Sequence, residues 1–286
     1  MKLADGTISN NFLSYKRYIL ERRKKYALHA QQLHTLQTIL ENEALNTYFQ
    51  PILDLQAGEA FGFEALNRPI PQSVFSTTDE FYEFIGESNH VFAFECLCRN
   101  LALQRFHDRL RQNVTKLSPV LFLNIHPHVL LDVNYHSGET RQLLKRYGLS
   151  PKQVVFELTE RSAVTDFDEF ARVLTHYRKQ GYRIAIDDVG SGYNSLKTLI
   201  YLKPEFIKID RSLIQYIDQY EPQQHLLEIL LNYAQQVNTK VIAEGIERTE
   251  ELQFLKNIGV HYAQGYKIGM PSEELQQVNI SRINGQ

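Results

Sequence analysis

Tryptophan is absent from this 286-residue chain, and cysteine and methionine occur twice each. Two thiols, Cys96 and Cys98, cannot make a disulfide scaffold, and their spacing suits no zinc knuckle. They read as reduced core residues of a helix. No apolar run approaches the ~18 residues of a membrane span. The start, MKLADGTISNN, lacks the apolar stretch of a secretory signal. A soluble, cytoplasmic protein is expected. Net charge is also small, at −2. That balance hides an asymmetry, because residues 1–40 carry a local +5 and leave −7 for the rest. An acidic body argues against wrapping a nucleic acid polymer. It fits carboxylates neutralised by bound cations.

What the chain does have is a series of short apolar strands that end in polar residues. Leu121-Phe122-Leu123 runs into Asn124, Val154-Val155-Phe156 into Glu157, and Ile184-Ala185-Ile186 into Asp187-Asp188. Phe206-Ile207 runs into Lys208, Val241-Ile242-Ala243 into Glu244, and Phe61-Gly62-Phe63 into Glu64. A lone charge at an apolar strand tip is costly. Six in order suggest one convergent site.

Strands are expected at 46–52, 60–66, 120–125, 153–158, 182–187, 205–209, 240–244 and 261–265. Helices are expected at 79–112, 138–147, 166–180, 222–237 and 248–257. Near-continuous Val, Ile, Leu and Phe runs mark parallel strands buried on both faces. Eight such strands alternating with helices predict a (β/α)8 barrel, whose site lies at the C-terminal strand ends. Residues 11–43 read as one long helix preceding it. Phe12, Ile19, Tyr26, Leu33 and Leu40 mark one heptad position, but Tyr15, Arg22, His29 and Leu36 make a poor second. The helix is expected to pack on the main domain; a dimerising or signal-transmitting role is the alternative. The division expected is a helical extension, 1–43, and a barrel domain, 44–286. Input to the barrel is then expected through residues 1–43 or a partner protein.

Glu64, Glu157, Asp187, Asp188 and Glu244 together carry −5, against +1 on Lys208. Two divalent cations would balance the set. Carboxylates plus the Asn124 amide favour Mg²⁺ or Mn²⁺ over zinc. Paired metals suit phosphodiester hydrolysis. Lys208 then orients or deprotonates a water, or stabilises developing charge. Singly, each residue has a structural reading: Asp188 as a helix cap, Glu157 as a partner of Arg161, Lys208 as a snorkelling lysine. A proton-abstracting barrel enzyme would need similar residues.

The blocks around these tips narrow the choice. Glu64-Ala65-Leu66-Asn67-Arg68 resembles the E-A-L-x-R signature of the EAL family of cyclic di-GMP phosphodiesterases. Phe49-Gln50-Pro51-Ile52, Leu123-Asn124, Glu157-Leu158-Thr159-Glu160 and the run Asp187-Asp188-Val189-Gly190-Ser191-Gly192-Tyr193 follow the same family pattern. So do Lys208-Ile209-Asp210, Ala243-Glu244-Gly245-Ile246-Glu247 and Gln264-Gly265-Tyr266, all within about 44–272. The resemblance implies hydrolysis of cyclic di-GMP to linear pGpG with two Mg²⁺ or Mn²⁺, on a TIM-like barrel whose first strand is antiparallel. It implies a metal set of Glu64, Asn124, Glu157, Asp187, Asp188 and Glu244, the last also near the catalytic water. Lys208 would be the catalytic lysine, and Glu160 would hold the loop after the fifth strand. Gln50, Leu66, Arg68, Asp210 and Gln264 would contact substrate. The loop 187–195 would join a homodimer. The chain departs from the family at Pro69, where Trp is common, at Val189 and Asn194, and at Lys267-Ile268-Gly269. No metal or lysine position is lost. The departures keep open a silent cyclic di-GMP receptor.

Overall fold

The computed structural model describes residues 5–70, 74–112, 118–126, 128–129, 132–136, 138–159, 167–190 and 195–283. Eight strands close a barrel in sequence order: β1 (Leu45–Asp54), β2 (Ala60–Pro69), β3 (Val120–Asn124), β4 (Val154–Thr159), β5 (Arg183–Val189), β6 (Phe206–Ile209), β7 (Lys240–Ala243) and β8 (Tyr262–Ala263). Strands β2 through β8 pair in parallel. Strand β1 meets β8 antiparallel, as the resemblance implied. The barrel is the expected TIM-like α/β fold.

The described helices are α1 (Asp5–Asn42), α2 (Thr78–Gly86), α3 (Val91–Gln112), α4 (Glu139–Tyr147), α5 (Phe167–Lys179), α6 (Ser195–Leu202), α7 (Arg211–Ile214), α8 (Glu221–Gln236), α9 (Thr249–Asn257) and α10 (Ile280–Ile283). The single helix expected over 79–112 is two helices. Residue Glu87 ends α2, and the Ser88 hydroxyl donates to Ile85 O. Helix α3 is then started by a remote carboxylate, Asp132, which accepts the Phe92 amide at 2.8 Å. A cap brought from 40 residues away has no local signature.

Contacts divide the chain into two compact units, residues 1–46 with 69–88 and residues 47–68 with 89–286. In the first unit, Gln32 of α1 donates to Glu80 of α2, and the His29 ring meets Phe84 edge-on. Phe75 packs against Phe81 and Phe84. Residues 15–31 of α1 are exposed except for half-buried Ile19.

The second unit holds the barrel, and its interior follows strand alternation. Side chains at i and i+2 point the same way. The apolar layer contains Ile52, Phe122, Val155, Ala185, Phe206 and Ile242, with Phe61 and Tyr262 against it. Phe61 stacks on Tyr262 at 4.1 Å, and Phe122 meets Phe206 at 5.4 Å. Two residues further toward the C-terminal ends come Asn124, Glu157, Asp187, Lys208, Glu244 and Gln264. On antiparallel β1 the same step runs backwards, from Ile52 to Gln50. The residue two before Glu64 is Gly62. A Cβ there would lie 2.3 Å from Val120 O, across the β2–β3 pair. Glycine therefore lets β2 approach β3 beneath the site.

Two substitutions test this layering. Phe122→Ala should cost about 3–5 kcal/mol in urea unfolding, from lost transfer energy plus a cavity. Gly62→Ala should also lower the urea midpoint, although alanine normally stabilises a strand relative to glycine.

Candidate metal and active site

Lys208 stands at the centre of the polar layer and is 1% exposed. Its Nζ lies 2.8 Å from Glu244 Oε1, 3.1 Å from Glu64 Oε2, 3.1 Å from Glu157 Oε1 and 3.3 Å from Asp187 Oδ1. Those groups come from β7's end, β2, β4 and β5, so only barrel closure brings them together. Gln264 Nε2 donates to Glu64 Oε2 at 2.8 Å and lies 3.3 Å from Gln50 Oε1. Asn124 Nδ2 donates to Glu64 Oε1 at 3.0 Å, which leaves its own carbonyl oxygen for another partner.

Asp187 and Asp188 are adjacent in sequence and would point to opposite faces of a regular strand. Here the β5–β6 register shifts between Ile186 and Val189. Asp188 adopts φ 59°, a left-handed conformation uncommon outside glycine. The irregularity turns both carboxylates the same way. Oxygens of Asp187, Asp188 and Glu244 lie within 4.8 Å of one another. Bulges next to active sites often re-aim side chains in this manner.

The electrostatics show a site short of positive charge. Burial pushes the Glu157 carboxyl well above the usual range, with Glu64 adding to it and Lys208 opposing. Burial and then Asp187 do the same to Glu244, again against Lys208. Burial also pushes Glu64 up, but Lys208 and the bonds from Gln264 and Asn124 outweigh it and hold that group low. Burial alone would lower Lys208; Asp187, Glu157, Glu244 and Glu64 drive it well above its ordinary value. Among these carboxylates Lys208 is held as an ammonium. Glu157 is 0% exposed and neither of its oxygens accepts a hydrogen bond, since its approach to Lys208 lacks hydrogen-bond alignment. A buried carboxylate without a donor is the state expected of a metal ligand lacking its ion. The oxygen donors suit a hard divalent cation.

Other expected site residues lie apart from this cluster. Arg68 is exposed at the end of β2, and its guanidinium bonds to Asn67 O at 3.1 Å. Leu66 is half-buried beside it. Asp210 caps α7, accepting the Ser212 amide at 2.9 Å. Glu160, Arg161 and residues 191–194 of the loop lie outside the described residues. Sequence reading passed over a buried acid beside the site, Glu95, whose carboxylate accepts the His126 amide just beyond Asn124. Its only signal was a Glu–Arg pair at i, i+4 inside an apolar helix.

A barrel with an acidic, lysine-centred mouth defines a class of metal-dependent enzymes and their relatives. The EAL domain model matches residues 33–271, and the chain belongs to that family. It resembles the Escherichia coli K12 protein described as probable cyclic di-GMP phosphodiesterase PdeB. The two are 30% identical over 250 residues, covering 84% of this chain and 46% of that protein. It is 29% identical over 257 residues to MucR of Pseudomonas aeruginosa, described as a bifunctional diguanylate cyclase/cyclic di-GMP phosphodiesterase, covering 86% of this chain and 36% of that one. The chain thus spans less than half the length of either. Among solved structures, a standalone EAL protein of Vibrio cholerae O395 in its c-di-GMP bound form matches with TM-score 0.70 and 29% identity, over 82% of this chain and 95% of that one. The manganese and cyclic-di-GMP complex of Klebsiella pneumoniae BlrP1 matches with TM-score 0.70 and 26% identity, over 82% and 58%. No described helix is long and apolar enough to cross a membrane.

If the acids are held together by Lys208, removing it should be severe. In chelator, Lys208→Met should lower unfolding free energy by about 3–5 kcal/mol, as when one partner of a buried ion pair is lost. Titrating Mn²⁺ into wild type should raise its melting temperature, because the ion binds only the folded cluster.

Proposed function

We propose that this chain hydrolyses one phosphodiester of cyclic di-GMP to linear pGpG, with two Mg²⁺ or Mn²⁺ ions. The observation carrying the reading is the convergence of Glu64, Glu157, Asp187 and Glu244 on one buried ammonium in an EAL-family barrel. Glu64, Asn124, Glu157, Asp187, Asp188 and Glu244 would hold the metals. Bound there, the ions would supply an activated water and charge stabilisation for in-line displacement.

The chain's own residues supply the rest. Lys208 orients the attacking water and meets charge developing on the phosphoryl oxygens. Glu244, 2.8 Å from Lys208, takes the water's proton. Gln264 Nε2 fixes Glu64, while its Oε1 has no hydrogen-bond partner and is free for a substrate donor. Gln50 and Leu66 contact the substrate beside it. Arg68, exposed at the strand end, swings onto the second phosphate, where a fork of donors fits. Asp210 caps α7 through Oδ1 and would contact substrate through its second oxygen. Attack at phosphorus breaks its bond to a ribose oxygen, which leaves as an alkoxide, takes a proton from solvent water and so opens the ring.

The same reading assigns Glu160 to holding the loop after β5 and that loop to a homodimer contact. It sets the barrel domain at 44–286, in the cytoplasm, with regulation entering through the helical extension 1–43 or a partner. The exposure of residues 15–31 supports the last point.

Incubation of the purified chain with cyclic di-GMP and Mg²⁺ or Mn²⁺ should yield pGpG, and chelator should abolish it. Lys208→Ala, assayed with Mn²⁺ present, should lose activity by about 100-fold or more. Glu64→Ala should be inactive with an unchanged circular dichroism spectrum. Tight binding without turnover would identify a silent receptor instead, and neither binding nor turnover would overturn both readings.

A further inference from the structure

Asn124 presents a difficulty that the metal site must solve. It is the one exposed member of the proposed set, so packing does not fix it. Its orientation depends on the backbone around it. On its N-terminal side that backbone is β3. On its C-terminal side the strand has ended, and two hydrogen bonds take over. Ile125 N donates to Glu157 O at 2.9 Å, and His126 N donates to Glu95 Oε1 at 2.9 Å.

Glu95 lies on α3, outside the barrel, and is itself buried. Burial pushes its carboxyl up, against the pull of Arg99 and the His126 bond. Arg99, one turn on and 3% exposed, faces it with Nε 3.8 Å from Oε2 and 3.1 Å from Glu95 O. Arg99 is anchored in turn by Thr140 of α4 at 2.9 Å and Tyr177 of α5 at 3.4 Å. A buried pair of this kind gives little net stability, and an apolar pair of similar volume is often as good or better. A geometric role accounts for such a pair where stability does not.

We propose that Glu95, braced by Arg99, is a positioning residue for the metal site. It clamps the turn after β3 and thereby sets the Asn124 amide between Glu64 and the cation. The path runs by hydrogen bonds from α4 and α5 to Arg99, by an ion contact of 3.8 Å from Arg99 to Glu95 Oε2, and by hydrogen bonds from Glu95 Oε1 to His126 N and, two residues back, from Asn124 to Glu64 at 3.0 Å. Outer partners of metal ligands commonly change affinity 10–100-fold when lost.

The inference rests on the metal-site reading, and the test separates the two. Mn²⁺ binding is measured by calorimetry or electron paramagnetic resonance on the whole chain, alongside melting temperature. The double variant Glu95→Met with Arg99→Met keeps volume and removes both charges. It should fold with an unreduced melting temperature in chelator, yet bind Mn²⁺ about 10-fold more weakly. Glu95→Gln, which keeps an acceptor for His126 N, should recover most of that loss. In an Asn124→Ala background the double change should have no further effect. Equal Mn²⁺ affinity in wild type and the double variant would overturn the proposal. So would failure of the double variant to fold, or additive losses with Asn124→Ala. Absence of Mn²⁺ binding by wild type would overturn the metal-site reading itself.

Discussion

The mouth of this barrel depends on one ammonium group. Four carboxylates from four strands approach Lys208 within 3.3 Å, at a place almost without solvent. At such separations like charges repel by several kcal/mol even at an intermediate dielectric. One lysine cannot balance them. The imbalance appears where Glu157 and Glu244 are driven toward protonation, and where the Glu157 oxygens have no donor. A site assembled at such cost is built to be completed by cations. Lys208 ties the four carboxylates together.

Beneath that layer the barrel solves a packing problem. On the parallel strands an inward apolar residue precedes a polar one by two positions, so an apolar floor of Phe122, Val155, Ala185, Phe206 and Ile242 supports a polar ceiling. The floor excludes water from one side of the cluster and strengthens its electrostatics. At Glu64 the floor position is Gly62, because Val120 O occupies the space a side chain would need. The strand that carries the family signature therefore has no room for a side chain at that position.

Support also comes from outside the barrel. Helix α3 contributes a carboxylate to the turn after β3, and Arg99 ties that helix to α4 and α5. The metal face and the helical shell are thus joined by hydrogen bonds, not only by apolar packing. Asp210 shows the opposite case. It sits in a family motif beside Lys208, but in this structure its side chain serves as the cap of a four-residue helix.

The sequence by itself determined the alternation of strands and helices, because near-continuous apolar runs ending in polar residues have few other solutions. It also determined the i, i+2 pairing of apolar floor and polar ceiling, a property of strand geometry alone. Glu64, Asn124, Glu157, Asp187, Lys208 and Glu244 were legible as polar ends of apolar strands, whereas Gln264 was legible only through the family resemblance. Only the tertiary structure decided which of them touch, since the contacts close across as many as 200 residues. It alone decided that Asp187 and Asp188 face one way, because a register shift is a relation between strands. The break between α2 and α3 and the hold of Glu95 on His126 were settled there too. Each depends on a remote carboxylate meeting a backbone amide, and nothing local in the chain encodes the encounter.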